Sequence, residues 1–350
     1  MQSERNYGVD LLRLVLMFMV CMLHILGQGG VLTASSKGSA AYYIFWFLEA
    51  CCFCAVNGFA LISGYISSGK SSGWHKLPNM WFQAFFYSFV LTVILRLANV
   101  GAAIGAKGYL ALLLPVMSNR FWYFTAYFAL VFAMPVLDKF IHSIDVPTAR
   151  KVMIIIILLF SVIGLIADPF NTKYGYSALW LMVMYCMGAL AKKTDLFAKK
   201  SNGFLIALFL VLNAISCLVK VFFDIGRISN YISPTMVING LILVTLFSRI
   251  KIKGKLIAKI SPLAFGIYLF QLSPMIWNNI LKGRTAFIAS KPVYIGICLA
   301  FLCAAALFLA GLAVEFLRSS LAKLIRIPAL SRKIAGGAEK MVGKLTSLLK

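Results

Sequence analysis

The feature that most constrains this chain is a succession of apolar runs of membrane length, each bounded by charged or turn-forming residues. A helix of about 20 apolar residues crosses the ~30 Å hydrocarbon core of a bilayer. Windows of that size fall at 9–28, 43–66, 80–100, 121–137, 152–167, 177–191, 203–223, 234–247, 262–281 and 293–317. They predict an all-α polytopic membrane protein with about ten transmembrane helices. Residues 108–117 are apolar but too short to cross, which suits an interfacial or re-entrant piece. The window at 234–247 is also short and reads as a tilted or partly broken helix, tolerated where it lines an interior. Composition agrees. Of 350 residues, 61% are hydrophobic and 13% charged, against roughly 45–50% and about 25% in soluble domains.

Charge placement sets the expected orientation. With the N-terminus in the cytoplasm, the inside loops carry Lys192, Lys193, Lys199 and Lys200, then Arg249, Lys251, Lys253, Lys255 and Lys259. The C-terminal tail is equally basic, whereas the outside loops hold fewer cations. This asymmetry predicts that both termini are cytoplasmic. The net charge of +24 is then a topology signal rather than a nucleic-acid surface. Two parts are expected: a membrane domain over 1–317 and a basic amphipathic tail over 318–350, suited to an anionic inner leaflet. The opening MQSERNYGVD mixes both charge signs, and no small-residue cleavage site follows, so the first run reads as an anchor rather than a secretory signal. The eight cysteines lie within apolar runs. Cys51, Cys52 and Cys54 are too close on one helix to cage a metal, so buried free thiols and no metal site are expected.

Against this background, ionisable groups inside a span are candidates for function, because hydrocarbon penalises each by a few kcal/mol or more. In DLLRLVLMFMVCMLHILGQGG, Arg13 and His24 are eleven residues apart, close to three helical turns, and share a helix face. Asp10 precedes Arg13 by three and can pair with it. His24 is the one histidine within the predicted hydrocarbon region; His75 and His142 fall in loops. An imidazole with an ordinary pKa near 6.5 is largely neutral at neutral pH and can take a proton from a hydroxyl. It can equally serve as an interhelical hydrogen-bonding group. The second run adds Glu49, Asn57, Ser63 and Tyr65, and the fourth opens with Trp122 and Tyr123. Glu49 could orient His24 or an acceptor hydroxyl, or simply reach interfacial water. The Trp122–Tyr123 pair reads as an aromatic belt or as a platform for a sugar ring.

Taken in order, RNYGVDLLRLVLMFMVCMLHILGQGG, WFLEACCFCAVNGFALISGY, FWYFTAYFALVFAMPVLDKF and SPLAFGIYLFQ resemble the acyltransferase-3 family of integral-membrane acyltransferases. The match is similar to a Gram-positive-like subgroup and to the membrane domains of serine/alanine racemase fusions. Arg13 and His24 reproduce that family's R-x10-H pattern. The resemblance implies transfer of an acyl group, commonly acetyl from acetyl-CoA, to a hydroxyl of a cell-envelope sugar or polysaccharide at a bacterial cytoplasmic membrane. It makes His24 catalytic, with Glu49 beside it, and gives Arg13 a part in holding the donor. Lys70, Lys76, Ser63 and Tyr65 join the expected donor site, and Asn57, Trp122 and Tyr123 the acceptor site. Two departures stand out. SSGKSSGWHKLPN carries Lys70 and Lys76 where the family often has paired arginines, and lysine lacks their bidentate fork. Gln271 occupies a position where the family often has histidine. The implied partners are acyl-CoA as substrate, an envelope glycan or lipid-linked sugar, and the bilayer. No permanently bound cofactor and no nucleic acid are expected, and a homo-oligomer stays an open alternative. The competing class is a permease for a small solute such as an amino acid, with the same polar groups as a relay.

Overall fold

The computed structural model describes residues 5–67 and 73–348, and every regular element among them is helical. Eight helices are long and apolar enough to cross a membrane: Tyr7–Ala34, Ala40–Tyr65, Trp74–Leu97, Trp122–Ser143, Val146–Leu165, Asn202–Phe223, Gly226–Ser248 and Val293–Leu324. A ninth forms if Lys255–Gln271 and Pro274–Ser290 count as one span, bent by 57°. The all-α polytopic expectation holds, and the ten windows resolve into eight spans, one broken pair and one short helix. The window at 177–191 becomes Ala178–Lys193, a helix of 16 residues. At 1.5 Å per residue it is about 24 Å long, short of the hydrocarbon thickness. The window at 262–281 is the broken one. Pro274 lacks the N–H that would continue the helix and instead opens a new one. The interruption anticipated at 234–247 is a continuous helix, Pro234–Ser248, entered through a 3₁₀ turn at Gly226–Ser229.

Helix starts follow side-chain caps. Asn6 Oδ1 accepts from Val9 N at 3.1 Å, and Ser39, Ser177 and Ser201 do the same for Tyr42, Trp180 and Phe204. Large apolar side chains such as Ile154, Leu158, Phe222, Leu302 and Leu309 are exposed, a rim that lipid rather than water would cover. None of the eight cysteines is in a disulfide; five are buried, Cys51 and Cys303 are half-buried, and Cys298 is exposed.

The first helix, Tyr7–Leu23, packs against Ala40–Tyr65, Pro234–Ser248, Ala264–Gln271 and Val293–Leu324, which places its polar residues at the centre of the molecule. Ala178–Lys193 crosses Ala55–Tyr65 closely. A Cβ on Gly64 would overlap the Tyr185 carbonyl, and one on Gly188 the Leu61 carbonyl, so only glycine allows this approach. The buried carboxylate of Glu315, paired with Arg318 on its own helix, ties the last span to the third. Glu315 accepts from Gln83 Nε2 at 3.0 Å, Tyr87 OH at 2.8 Å, and Arg318 Nε and Nη2 at 2.7 Å each. Its lone pairs are thus satisfied, as a buried carboxylate requires. After Leu324 the chain turns at Arg326, in the left-handed region at φ 60°, and forms the C-terminal helix Ile327–Leu348. That helix packs along Trp74–Phe85.

Candidate active site

At the end of the first helix the hydrogen-bond register slips. Gly29 N bonds to the His24 carbonyl at 2.7 Å, giving a π turn over His24–Gln28. The Ile25 carbonyl accepts from Thr285 Oγ1 at 2.9 Å, while Gly283 N and Thr285 N bond to the Gln28 and Gly29 carbonyls at 3.0 Å each. The second half of the broken span therefore clips the turn in place. A Cβ on Gly29 would overlap Thr285 Oγ1 and the Ile25 carbonyl, so glycine lets the clip close.

His24 begins this turn. Its Nδ1 lies 2.8 Å from Gln271 Oε1. An amide oxygen only accepts, so this bond puts the proton on Nδ1 and leaves Nε2 as the basic nitrogen. The amide's other end agrees, with Gln271 Nε2 at 3.6 Å from the weak acceptor Met17 Sδ. Trp277 meets the imidazole edge-on, ring centroids 5.0 Å apart at 88°. Gln271 closes one half of the broken span and Trp277 lies in the other, so the break wraps the imidazole. Interrupted backbone at membrane depth is tolerated in such a place, where protein encloses it.

His24 lines a cavity of about 930 Å³. Arg13 lines it too, roughly 16 Å nearer the start of the same helix. Arg13 is paired with Asp10, which is buried and also accepts from Arg5 Nε at 2.5 Å. Lys76, Ser63 and Asp138 contribute to the wall. Ser63 Oγ donates to the Phe59 carbonyl at 2.9 Å and lies 3.1 Å from Tyr127 OH. Asp138 is buried and accepts from Tyr185 OH at 2.6 Å and Ser67 Oγ at 2.9 Å.

Around His24 the wall is aromatic and acidic. Glu49 Oε1 stands 3.5 Å from where a Cβ on Gly27 would be. Trp122 stacks on Tyr231 at 5.9 Å and 18° and meets Tyr176 at 4.6 Å. Glu49, Trp122, Tyr123, Tyr176 and Tyr231 all line the cavity. Glu49 Oε2 and Tyr123 OH are buried with no hydrogen-bond partner among the described residues. Buried polar atoms left bare cost about 1–3 kcal/mol each, so both are positions where a polar ligand would be held.

The structure thus gathers Arg13, His24, Glu49, Ser63, Lys76, Trp122 and Tyr123 around one cavity. Two expected residues lie elsewhere. Asn57 is fully buried, donating to the Tyr231 carbonyl at 2.7 Å and accepting from Trp180 Nε1 at 2.9 Å, so it supports the aromatic wall from behind. The Tyr65 ring faces Lys192 Nζ at 5.8 Å, outside the cavity. Lys70 lies outside the described residues. Sequence reasoning did not find Asp138, Tyr176, Tyr231 or Trp277, and it read Gln271 only as a missing histidine. A tyrosine directly before a short span, as in SNYISP, was the available signal for Tyr231. Among the described residues no group of three or more His, Cys, Asp or Glu side chains could hold a metal ion.

A family model described as an acyltransferase domain matches residues 6–315. The chain belongs to the acyltransferase-3 family. No curated protein matches it, and no solved structure does. The matched residues include every residue that lines the cavity, and the protein is a multi-span membrane acyltransferase.

Proposed function

We propose that this acyltransferase moves an acetyl group from cytosolic acetyl-CoA to a hydroxyl of an envelope glycan or lipid-linked sugar. It would do so in the bacterial cytoplasmic membrane, with both termini cytoplasmic. The observation that carries the reading is the His24 imidazole, fixed through Nδ1 by Gln271 and facing a cavity that also reaches Arg13 and Lys76. The donor's phosphates sit at the Arg13 end, and its extended pantetheine arm runs the ~16 Å toward His24. The acceptor hydroxyl enters beside Glu49 and Tyr123, whose bare polar atoms orient it, and its ring packs on Trp122 and Tyr231.

His24 Nε2 takes the hydroxyl proton as the oxygen attacks the thioester carbonyl carbon. The new C–O bond forms, the C–S bond breaks, and the leaving thiolate receives the proton from the imidazolium. The imidazole returns neutral, and the products are an O-acetyl ester and free thiol. General-base help of this kind contributes about 10²–10⁴-fold.

The test is transfer of label from acetyl-CoA by the purified protein in lipid, with envelope extract as acceptor. Wild type transfers label, and a folded His24→Ala loses about 10²–10⁴-fold in rate. A His24→Ala protein with wild-type transfer, or a wild type that carries solute into vesicles without consuming acetyl-CoA, refutes the reading.

A further inference from the structure

The cavity has an annexe that the reaction at His24 does not use. A second chamber of about 430 Å³ adjoins it, sharing Gly73, Lys76, Met80, Tyr127 and Met134 as common wall. Its far side is the start of the C-terminal helix, through Pro328, Ser331 and Arg332. This helix lies beyond the acyltransferase domain, and its sequence alone reads as a basic amphipathic segment for an anionic leaflet.

Three features give the annexe a chemistry. It is lined by three basic side chains, His75, Lys76 and Arg332, and by no carboxylate. None of the three makes an ion pair among the described residues. Ser331 is 2% exposed, yet its buried hydroxyl has no hydrogen-bond partner among the described residues. A buried hydroxyl in a wall that also carries Lys76 and Arg332, neither of them in an ion pair among the described residues, is a cradle for a phosphate ester.

We infer that this annexe holds the phosphate-bearing nucleotide end of the acyl-CoA, with Arg332 and Ser331 of the C-terminal helix completing a donor site that the acyltransferase domain leaves open. The inference rests on the donor assigned above. The shared wall lets one molecule occupy both spaces, the phosphate on its nucleotide in the annexe and its pyrophosphate and arm in the main cavity, toward Arg13 and His24. Lysine offers a phosphate a point charge, whereas Arg332 offers a bidentate fork. The C-terminal helix thus supplies an arginine that the SSGKSSGWHKLPN loop lacks.

The experiment is calorimetric titration of the full chain, in phosphatidylcholine nanodiscs, with coenzyme A and with pantetheine, which has the same arm without phosphates. Arg332→Gln raises the Kd for coenzyme A about tenfold, equivalent to about 1.4 kcal/mol, and leaves pantetheine binding unchanged. Arg332→Lys recovers part of the loss. Lys333→Gln, on the same helix but outside the annexe, binds coenzyme A as wild type does. Unaltered coenzyme A binding by Arg332→Gln overturns the inference alone, as does an equal loss in Lys333→Gln. An effect of Arg332→Gln seen only in nanodiscs of anionic lipid assigns the annexe to a lipid headgroup and also overturns it. Absence of coenzyme A binding by wild type overturns this inference and the donor reading together.

Discussion

Replacing Gln271 by methionine isolates the one side-chain bond among the described residues that fixes the His24 tautomer proposed for catalysis. Methionine keeps the unbranched shape, so the wall stays filled, but it offers no carbonyl to His24 Nδ1. Gln271 is fully buried and its Oε1 lies 2.8 Å from Nδ1, so no water replaces the lost acceptor. Leaving that N–H unpaired costs about 1–3 kcal/mol. At about 1.36 kcal/mol per tenfold, turnover slows about 5- to 150-fold. The assay is the initial rate of labelled acyl transfer at saturating donor, with thermal unfolding alongside to show that the variant is folded. A general loss of packing would slow any background reaction equally. A positioning role does not, so in a His24→Ala background the same replacement costs nothing further. A Gln271→Met rate within about twofold of wild type, or an undiminished penalty in the His24→Ala background, would refute the reasoning.

Other perturbations test the frame around the site. Glu315→Ala leaves Arg318 charged and largely buried, 10% exposed. It lowers stability by about 3–5 kcal/mol, read as a fall in Tm in detergent, and adding Arg318→Leu restores part of it. Gly29→Ala forces the Thr285 clip open and costs about 1–3 kcal/mol of overpacking; hydrogen exchange at Gly283 and Thr285 rises if the clip is as described, and stays at wild-type levels if it is not. Outside the membrane segments, burial alone would raise the Asp168 carboxyl, but hydrogen bonds from Thr172 Oγ1 and from the Thr172 and Tyr174 backbone hold it below its ordinary value. A depressed folded-state pKa gives stability that is present above the unfolded value near 3.9 and lost as pH falls through the folded one. Acid titration of Tm therefore shows a step below about pH 4 that Asp168→Asn removes; a step of equal size in both proteins contradicts the assignment.

Hydropathy made the spans legible because lipid contact demands apolar side chains over a fixed length. It could not tell a helix that faces lipid from one enclosed by its neighbours, and so the shortness and burial of Ala178–Lys193 went unread. Arg13 and His24 were legible as a pair because eleven residues make three turns of one helix, a local relation. The partner that fixes the imidazole was not, because Gln271 lies 247 positions away in sequence and meets His24 only through packing. The π turn leaves no mark in composition, since it is a slip in backbone bonding that the Thr285 clip stabilises from a distant segment. Asn57 shows the opposite failure. A polar residue at mid-span looked like a ligand group, yet its amide is consumed by Trp180 and the Tyr231 carbonyl. Only the arrangement of three segments reveals that.

The short helix Ala178–Lys193 has a consequence for where this protein can work. Eleven of its 16 residues are buried against protein, so bilayer thickness does not load it. Hydrophobic mismatch costs fractions of a kcal/mol per Å, and it falls on outer spans such as Val146–Leu165, Asn202–Phe223 and Val293–Leu324, which can tilt. The short helix carries Trp180 to Asn57 and Tyr185 to Asp138, and through them it braces the cavity wall. Changes in lipid chain length are then absorbed at the periphery, and the cavity keeps one height across membranes of different thickness.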